Sequence, residues 1–411
     1  MSILYRIITA IYFGGIRCAA LFNKKAYKMI SGRKKDKELL NSKDKSEKTC
    51  VWFHCASLGE FEQGRPLIEL IRKKYPQRRI VISFFSPSGY EIRKDYPVAN
   101  EIYYLPFDTP KNVKHFISII NPDTVIFIKY ELWYFFLKYL QSKNIKTYLI
   151  SALFRHNQWF FKFGKSFTQN LFSCFTHIFV QNQASYNILK NNNINNVSIS
   201  GDTRIDRVLE IANQNFKDEI IENFCANNNC LIAGSTHQPD EDILLYCLDN
   251  QADKFKLILA PHIISDKHLK EIEIKTNNKS IRYSKANLNK LHNYNILIID
   301  NIGMLSNIYQ FCSFAYIGGG FGKGIHNTLE AAVYGIPVIF GPNYKKFDEA
   351  ITLINDGGGF CIKTKQELNS LIYKLFENPK LIYNAGNKAK QYILKSKGVV
   401  EQIFHEIHID V

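Results

Sequence analysis

From residue 50 onward the chain alternates short apolar runs with longer mixed stretches. CVWFHCA (50–56), RIVISFF (79–85), DTVIFI (123–128), KTYLIS (146–151) and HIFVQ (177–181) are rich in Ile, Val and Phe. Runs of that length and composition predict strands covered on both faces, as in a parallel sheet. The segments between them are long enough for crossover helices, so residues 50 to about 200 predict one doubly wound domain. After the Asn-rich stretch 191–196 and a turn at Gly201–Asp202, the pattern restarts with CLIAG (230–234), KLILA (256–260), NILII (295–299), SFAYIG (313–318) and IPVIF (336–340). The expected architecture is α/β, with two doubly wound Rossmann-like domains over 46–205 and 206–411 and terminal helices packing back on the first. Ligands then bind outside the carboxyl ends of the strands, in a cleft that the two domains enclose.

Residues 1–22, MSILYRIITAIYFGGIRCAALF, are apolar with interleaved aromatics, and Arg6 and Arg17 interrupt the run. A basic stretch with Lys24, Lys25, Lys28, Arg33, Lys34 and Lys35 follows, and no small-residue cleavage site precedes it. That combination predicts an uncleaved membrane anchor over 1–45, spanning or lying in the interface, with the body of the protein on the cytoplasmic side. Composition sharpens the picture. Of the formal net charge of 53 − 37 = +16, residues 1–50 hold twelve Lys/Arg and four Asp/Glu, or +8. Positive charge so concentrated beside an apolar segment suits an anionic membrane surface, and no recognisable nucleic-acid module accompanies it. The nine cysteines are odd in number and contain no CxxC pair, so they read as free thiols of a reducing compartment.

Candidate chemistry concentrates in 313–343, SFAYIGGGFGKGIHNTLEAAVYGIPVIFGPN. A strand runs into Gly318, Gly319, Gly320, Gly322 and Gly324; His326 and Asn327 then open a helix that Gly335 ends before the next strand. Glycines after a strand let backbone approach a ligand, and a helix start offers N–H groups to a phosphate. The spacing differs from a dinucleotide fingerprint.

This block of Gly-rich loop, His-Asn, Leu-Glu, short helix and G-P-V-strand-G-P resembles the nucleotide-sugar half of a GT-B glycosyltransferase, and in detail the Kdo (3-deoxy-D-manno-octulosonic acid) transferase family. The resemblance implies that Gly319, Gly320, Gly322, His326 and Asn327 hold the phosphate of CMP-Kdo and that Glu330 faces the ribose. Residues 51–66, VWFHCASLGEFEQGRP, resemble the family's H-A-x-S-x-G-E segment, with Cys55 as a variation in the H-A step. The resemblance gives Glu60 the role of general base, with Ser57 and Gly59 beside it where strand passes into helix. KYELWY (129–134) resembles E-T-E-L-W-P and keeps Glu131, with Lys129 in place of the first acid and Tyr134 in place of the proline. GDTRID (201–206) resembles G-N-x-K-x-D, with Arg204 as the cation. AGSTH (233–237) resembles A-x-S-T-H and implies that Ser235, Thr236 and His237 lie near the donor phosphate; APH (260–262) stands where the family has P-R-H and leaves His262 as the donor-side candidate.

The implied reaction is inverting transfer of Kdo from CMP-Kdo to a lipid A precursor, lipid IVA, in lipopolysaccharide core synthesis at the cytoplasmic face of the inner membrane. No cofactor and no metal enter that scheme, because a helix N-terminus and cations can hold a monophosphate leaving group, and no His/Cys cluster with ligand spacing occurs. The alternative is another GT-B transferase that uses a UDP-sugar and a lipid-linked acceptor.

Overall fold

A computed structural model describes residues 2–42, 48–226, 229–251 and 255–409. The expected anchor boundary at 45/46 lies outside the described residues. The chain forms two compact units: residues 1–206 with 398–411, and residues 207–397. Each contains one seven-stranded sheet in which every pairing is parallel.

In the first unit the strands are β1 (Cys50–Cys55), β2 (Ile80–Phe84), β3 (Glu101–Tyr104), β4 (Pro122–Ile128), β5 (Lys146–Ala152), β6 (His177–Val180) and β7 (Val197–Ile199), in the order β3-β2-β1-β4-β5-β6-β7. The second unit carries β8 (Cys230–Thr236), β9 (Lys256–Pro261), β10 (Ser280–Arg282), β11 (Ile296–Ile298), β12 (Phe314–Ile317), β13 (Val338–Phe340) and β14 (Gly359–Cys361), in the order β10-β11-β9-β8-β12-β13-β14. β1 and β2 are buried along their whole length because helices cover both faces of the sheet, which is why these segments read as unbroken apolar runs. Strand order reverses between β1 and β4 in one sheet and between β8 and β12 in the other. Ligands of open parallel sheets bind at the carboxyl ends of the strands flanking such a reversal.

The helices Ser2–Ala19 and Lys24–Asn41 belong to the first unit. Phe13 stacks on Phe107 with ring centroids 4.2 Å apart, and the Tyr5 hydroxyl donates to the buried Asp108 carboxylate at 2.6 Å. Asp108 also accepts from the backbone N–H groups of Phe135 and Phe136, so one carboxylate ties the first helix to the start of the helix Tyr134–Ser142. Arg33 is buried and donates to three carbonyls, those of Met29, Phe85 and Leu105, which holds the second helix against the sheet. On the other side of the first helix, Ile3, Leu4, Ile7, Ile8 and Ile11 face solvent. Among the described residues no single helix is long and apolar enough to cross a membrane; only Ile3–Ala19 and Lys24–Asn41 taken together are, and they bend by 113° at the break between them. The chain's last helix, Val399–Glu406, returns to the first unit, where Asp206 accepts from the N–H groups of Gly398 and Val400, both at 2.7 Å.

Candidate active site

Most of the motif residues gather at the two strand-order reversals, whereas Arg204 follows the outermost strand β7 and His262 follows β9. In the first unit, β1 ends at Cys55 and the helix Leu58–Lys74 begins with Ser57 as its N-cap residue. A Ser-x-x-Glu start normally turns the serine oxygen toward a backbone N–H. Here Ser57 makes no such cap; its hydroxyl donates to the Glu60 carboxylate instead. Glu60 is half-buried, and its negative charge, together with that of Glu131, helps raise the Tyr130 hydroxyl after burial, the larger cause. Glu131 follows β4, the strand across the reversal, and takes a hydrogen bond from Trp133 Nε1 at 2.9 Å. Gly59 is exposed beside them. Lys129, also just past β4, adopts φ +70°, a conformation that non-glycine residues seldom take and that strained functional loops tend to carry.

His54, the penultimate residue of β1, is fully buried. Its Nδ1 lies 2.9 Å from Ser83 Oγ, and its Nε2 lies 3.2 Å from Trp133 Nε1 and 3.5 Å from Glu131 Oε2. Trp133 Nε1 thus links His54 to Glu131. Arg204 is held within its own turn by a two-pronged ion pair to Asp202, with Nε at 3.0 Å and a terminal nitrogen at 2.5 Å from the same oxygen. Burial works against the Asp202 charge, yet Arg204 holds that carboxyl below its ordinary value.

In the second unit the loop after β12 crosses the end of β8 at backbone contact distance. A Cβ on Gly318 would stand 2.3 Å from the Ser235 carbonyl oxygen, and one on Gly320 would stand 2.5 Å from the Gly341 nitrogen. Neither position admits a side chain. Ser235 has φ +54° at the point where the β8–β9 register slips. Asp240, buried in the first turn of the helix Gln238–Asn250, pins the whole loop: it accepts from Gly319 N at 2.9 Å, His237 N at 2.9 Å and the Tyr316 hydroxyl at 2.7 Å. Buried Glu241 accepts from Thr236 Oγ1 at 3.1 Å and lies 3.0 Å from His268 Nε2.

Three histidines meet on this frame. His237, His262 and His326 have ring nitrogens within 4.8 Å of one another, with the Nε2 atoms of His237 and His326 at 3.2 Å. Such spacing suits either a shared cation or the oxygens of one anion, and the sequence separation of these residues gives no hint of it. Burial pushes the His326 imidazole down to about 4, helped by His262 and His237; burial and then His237 lower His262. Asn327 donates to Glu330 Oε1 at 3.0 Å and accepts from Leu329 N at 3.2 Å. The helix there is shorter than LEAAVYG predicts, running only Leu329–Ala332, because the chain turns at Gly335 with φ +74°. The loop residue Gly322 is exposed and accepts from Asn343 Nδ2 at 2.8 Å.

Sequence reasoning missed His54, Asp240 and Glu241. His54 stands at the start of the H-A-x-S-x-G-E match but carried no assigned role there. The two acids follow Ser-Thr-His at helix positions where a capping carboxylate is expected, and that was the available signal.

Two parallel seven-stranded sheets, each with a strand-order reversal, give the chain the GT-B fold. Residues 32–207 match the family model described as 3-deoxy-D-manno-octulosonic-acid transferase (kdotransferase), and curated proteins of that name are similar to the chain over most of its length. The chain is 28% identical over 353 residues to the 3-deoxy-D-manno-octulosonic acid transferase of Rickettsia prowazekii, covering 83% of this chain and 73% of that protein. Against the enzyme of the same name from Rickettsia bellii it is 24% identical over 411 residues, covering 96% and 95%. Among solved structures, a glycosyltransferase from Rickettsia africae shares the fold with a TM-score of 0.59 and 14% identity, covering 88% of this chain and 98% of that one.

The histidine cluster has a measurable consequence. An imidazole that ionises near pH 6.5 in the unfolded chain and near 4 in the folded one leaves the folded state with fewer bound protons between those values. Its contribution to stability is complete above pH 6.5 and is lost as pH falls toward 4. Buried Asp108, pushed up to about 6 by desolvation, acts with the opposite sign, so wild type must be compared with a variant. Denaturant unfolding of wild type and His326→Gln at pH 7.5 and pH 5 is expected to show a larger acid-induced loss in wild type; equal losses would mean that His326 titrates normally.

Proposed function

We propose that this chain transfers Kdo from CMP-Kdo to a sugar hydroxyl of the lipid A precursor lipid IVA, inverting the transferred carbon, with Glu60 as general base. The observation that carries this reading is the matched chemistry of the two reversals: carboxylates at one, and glycines with imidazoles at the other. In the second unit, Gly319 and Gly320 let the loop fold tightly against its own backbone beside the donor phosphate, and His237, His262 and His326 present N–H groups to it. Ser235 and Thr236 line the same strand end, and Glu330, positioned by Asn327, faces the ribose hydroxyls.

In the reaction the acceptor oxygen bonds to the anomeric carbon of Kdo as the bond from that carbon to the CMP phosphate oxygen breaks. The electron pair leaves on the phosphate, and the hydroxyl proton passes to the Glu60 carboxylate, whose orientation Ser57 sets. Charge developing on CMP meets preorganised donors that need no rearrangement as it forms. His54 and Glu131 act as a rigid acidic wall on the acceptor side, and Arg204, engaged by Asp202, supports the turn behind it.

The acceptor is a lipid, which places the chain at the inner membrane on its cytoplasmic face. Support comes from the solvent-facing stripe Ile3, Leu4, Ile7, Ile8 and Ile11, at the spacing of one helix face, followed by the Lys-rich helix Lys24–Asn41. Wild type is expected to co-sediment with vesicles containing anionic lipid, and the double variant Ile7→Glu, Ile11→Glu to remain in the supernatant. Equal sedimentation of the two would remove this face from membrane binding.

Glu60→Gln keeps the size of the side chain and removes its capacity to accept a proton. Turnover of CMP-Kdo is expected to fall roughly a hundredfold or more, since a positioned general base contributes about 10²–10⁴. CMP affinity by calorimetry is expected to hold, because the donor residues lie in the other unit. Near-normal turnover with a lowered melting temperature would leave Glu60 only a helix-dipole role, worth a few tenths of a kcal/mol.

A further inference from the structure

At the opposite end of β8 from the histidines, three cysteines far apart in sequence come together. Cys225 ends the helix Glu219–Cys225, Cys230 opens β8, and Cys312 follows the short helical turn Tyr309–Phe311. Their Sγ atoms all lie within 4.8 Å of one another. β8 spans seven residues, so at about 3.3 Å per residue the cluster stands roughly 20 Å from the Ser235–His237 end of the strand. It has no part in the transfer site.

Cys230 and Cys312 are buried, whereas Cys225 is partly exposed and gives the cluster an opening to solvent. The ammonium of Lys256, which pairs with Cys230 across the β8–β9 ladder, acts on both Cys230 and Cys225 and lies 4.8 Å from the Phe224 ring. We propose that Cys225, Cys230 and Cys312 form a binding site for one thiophilic divalent cation of the zinc class, held by three thiolates and open to water in the fourth position.

The geometry fits with small movements. Metal–sulfur bonds of about 2.3 Å require sulfurs roughly 3.8–4.0 Å apart, which a modest rotation of the side chains gives from the observed spacing. Charge fits as well. Three thiol protons leave to solvent, three thiolates and a dication sum to −1, and Lys256 supplies the compensating +1. A hard cation such as magnesium would find no oxygen ligand among the three residues, so softness selects the zinc class. Bound, the ion would join the helix end, the first residue of β8 and the segment leading into β12. These are the amino-terminal approaches to the two strands whose carboxyl ends carry the glycine loop and the histidines.

The test uses the reduced full-length protein titrated with cobalt(II) or cadmium(II) in the presence of excess magnesium. One equivalent is expected to produce thiolate-to-metal charge-transfer absorption. The partly exposed Cys225→Ser, checked for an unchanged circular dichroism spectrum, is expected to lose the band or to weaken binding at least tenfold, as is Cys312→Ser. The double variant Cys18→Ser, Cys361→Ser, which alters thiols outside the cluster, is expected to keep it. Absence of the band at one equivalent, or its survival in a folded Cys225→Ser protein, would overturn the proposal. So would loss of the band in the Cys18, Cys361 variant. A band from the histidine cluster is distinguished by its persistence in all cysteine variants and by its lack of sulfur charge transfer.

Discussion

The second unit depends on one buried carboxylate. Asp240 accepts hydrogen bonds from the Gly319 and His237 backbone N–H groups and from the Tyr316 hydroxyl, and so fastens the glycine loop after β12 to the helix that follows β8. That junction is tight enough that Gly318 and Gly320 must lack side chains. With the loop pinned, His326 is carried to within 3.2 Å of His237, and Asn327 and Glu330 follow at a fixed offset. An uncompensated carboxylate in such surroundings would be costly, and three donors make it tolerable. The first unit solves the same problem differently. Glu60 and Glu131 stay half-buried at the strand ends, oriented by Ser57, Trp133 and His54, so two acids share a small region without either being fully desolvated.

Among the described residues, ten of the fourteen strands were legible as apolar runs, and the other four, β3, β7, β10 and β14, are the outermost strands of the two sheets. EIYY, VSI, SIR and GFC are only three or four residues long and partly exposed, so they lack the two-sided burial that produced the signal elsewhere. The apolar N-terminal segment is divided between two environments, Phe13 packed on Phe107 and the isoleucine stripe turned outward, a distinction that hydropathy alone does not draw.

The motif segments were legible one at a time, but their convergence was not. Strand order, set by long-range pairing, brings the segment after β1 beside that after β4, and the end of β8 beside the loop after β12. Linear spacing therefore hid the three histidines, 25 and 64 residues apart, and the three cysteines, 5 and 82 residues apart. It also hid His54, whose role rests on contacts with Ser83 and Trp133 rather than on its neighbours in the chain.

In the proposed reaction the two units take complementary parts, proton acceptance in one and anion binding in the other, and a sugar transfer from a nucleotide monophosphate needs both. The most direct measurement supplies purified full-length protein with CMP-Kdo and a tetra-acylated lipid A precursor and follows the lipid by mass spectrometry. A gain equal to one or more Kdo residues, with release of CMP, is the expected result. An unchanged lipid with CMP-Kdo, together with transfer from a UDP-sugar under the same conditions, would contradict it.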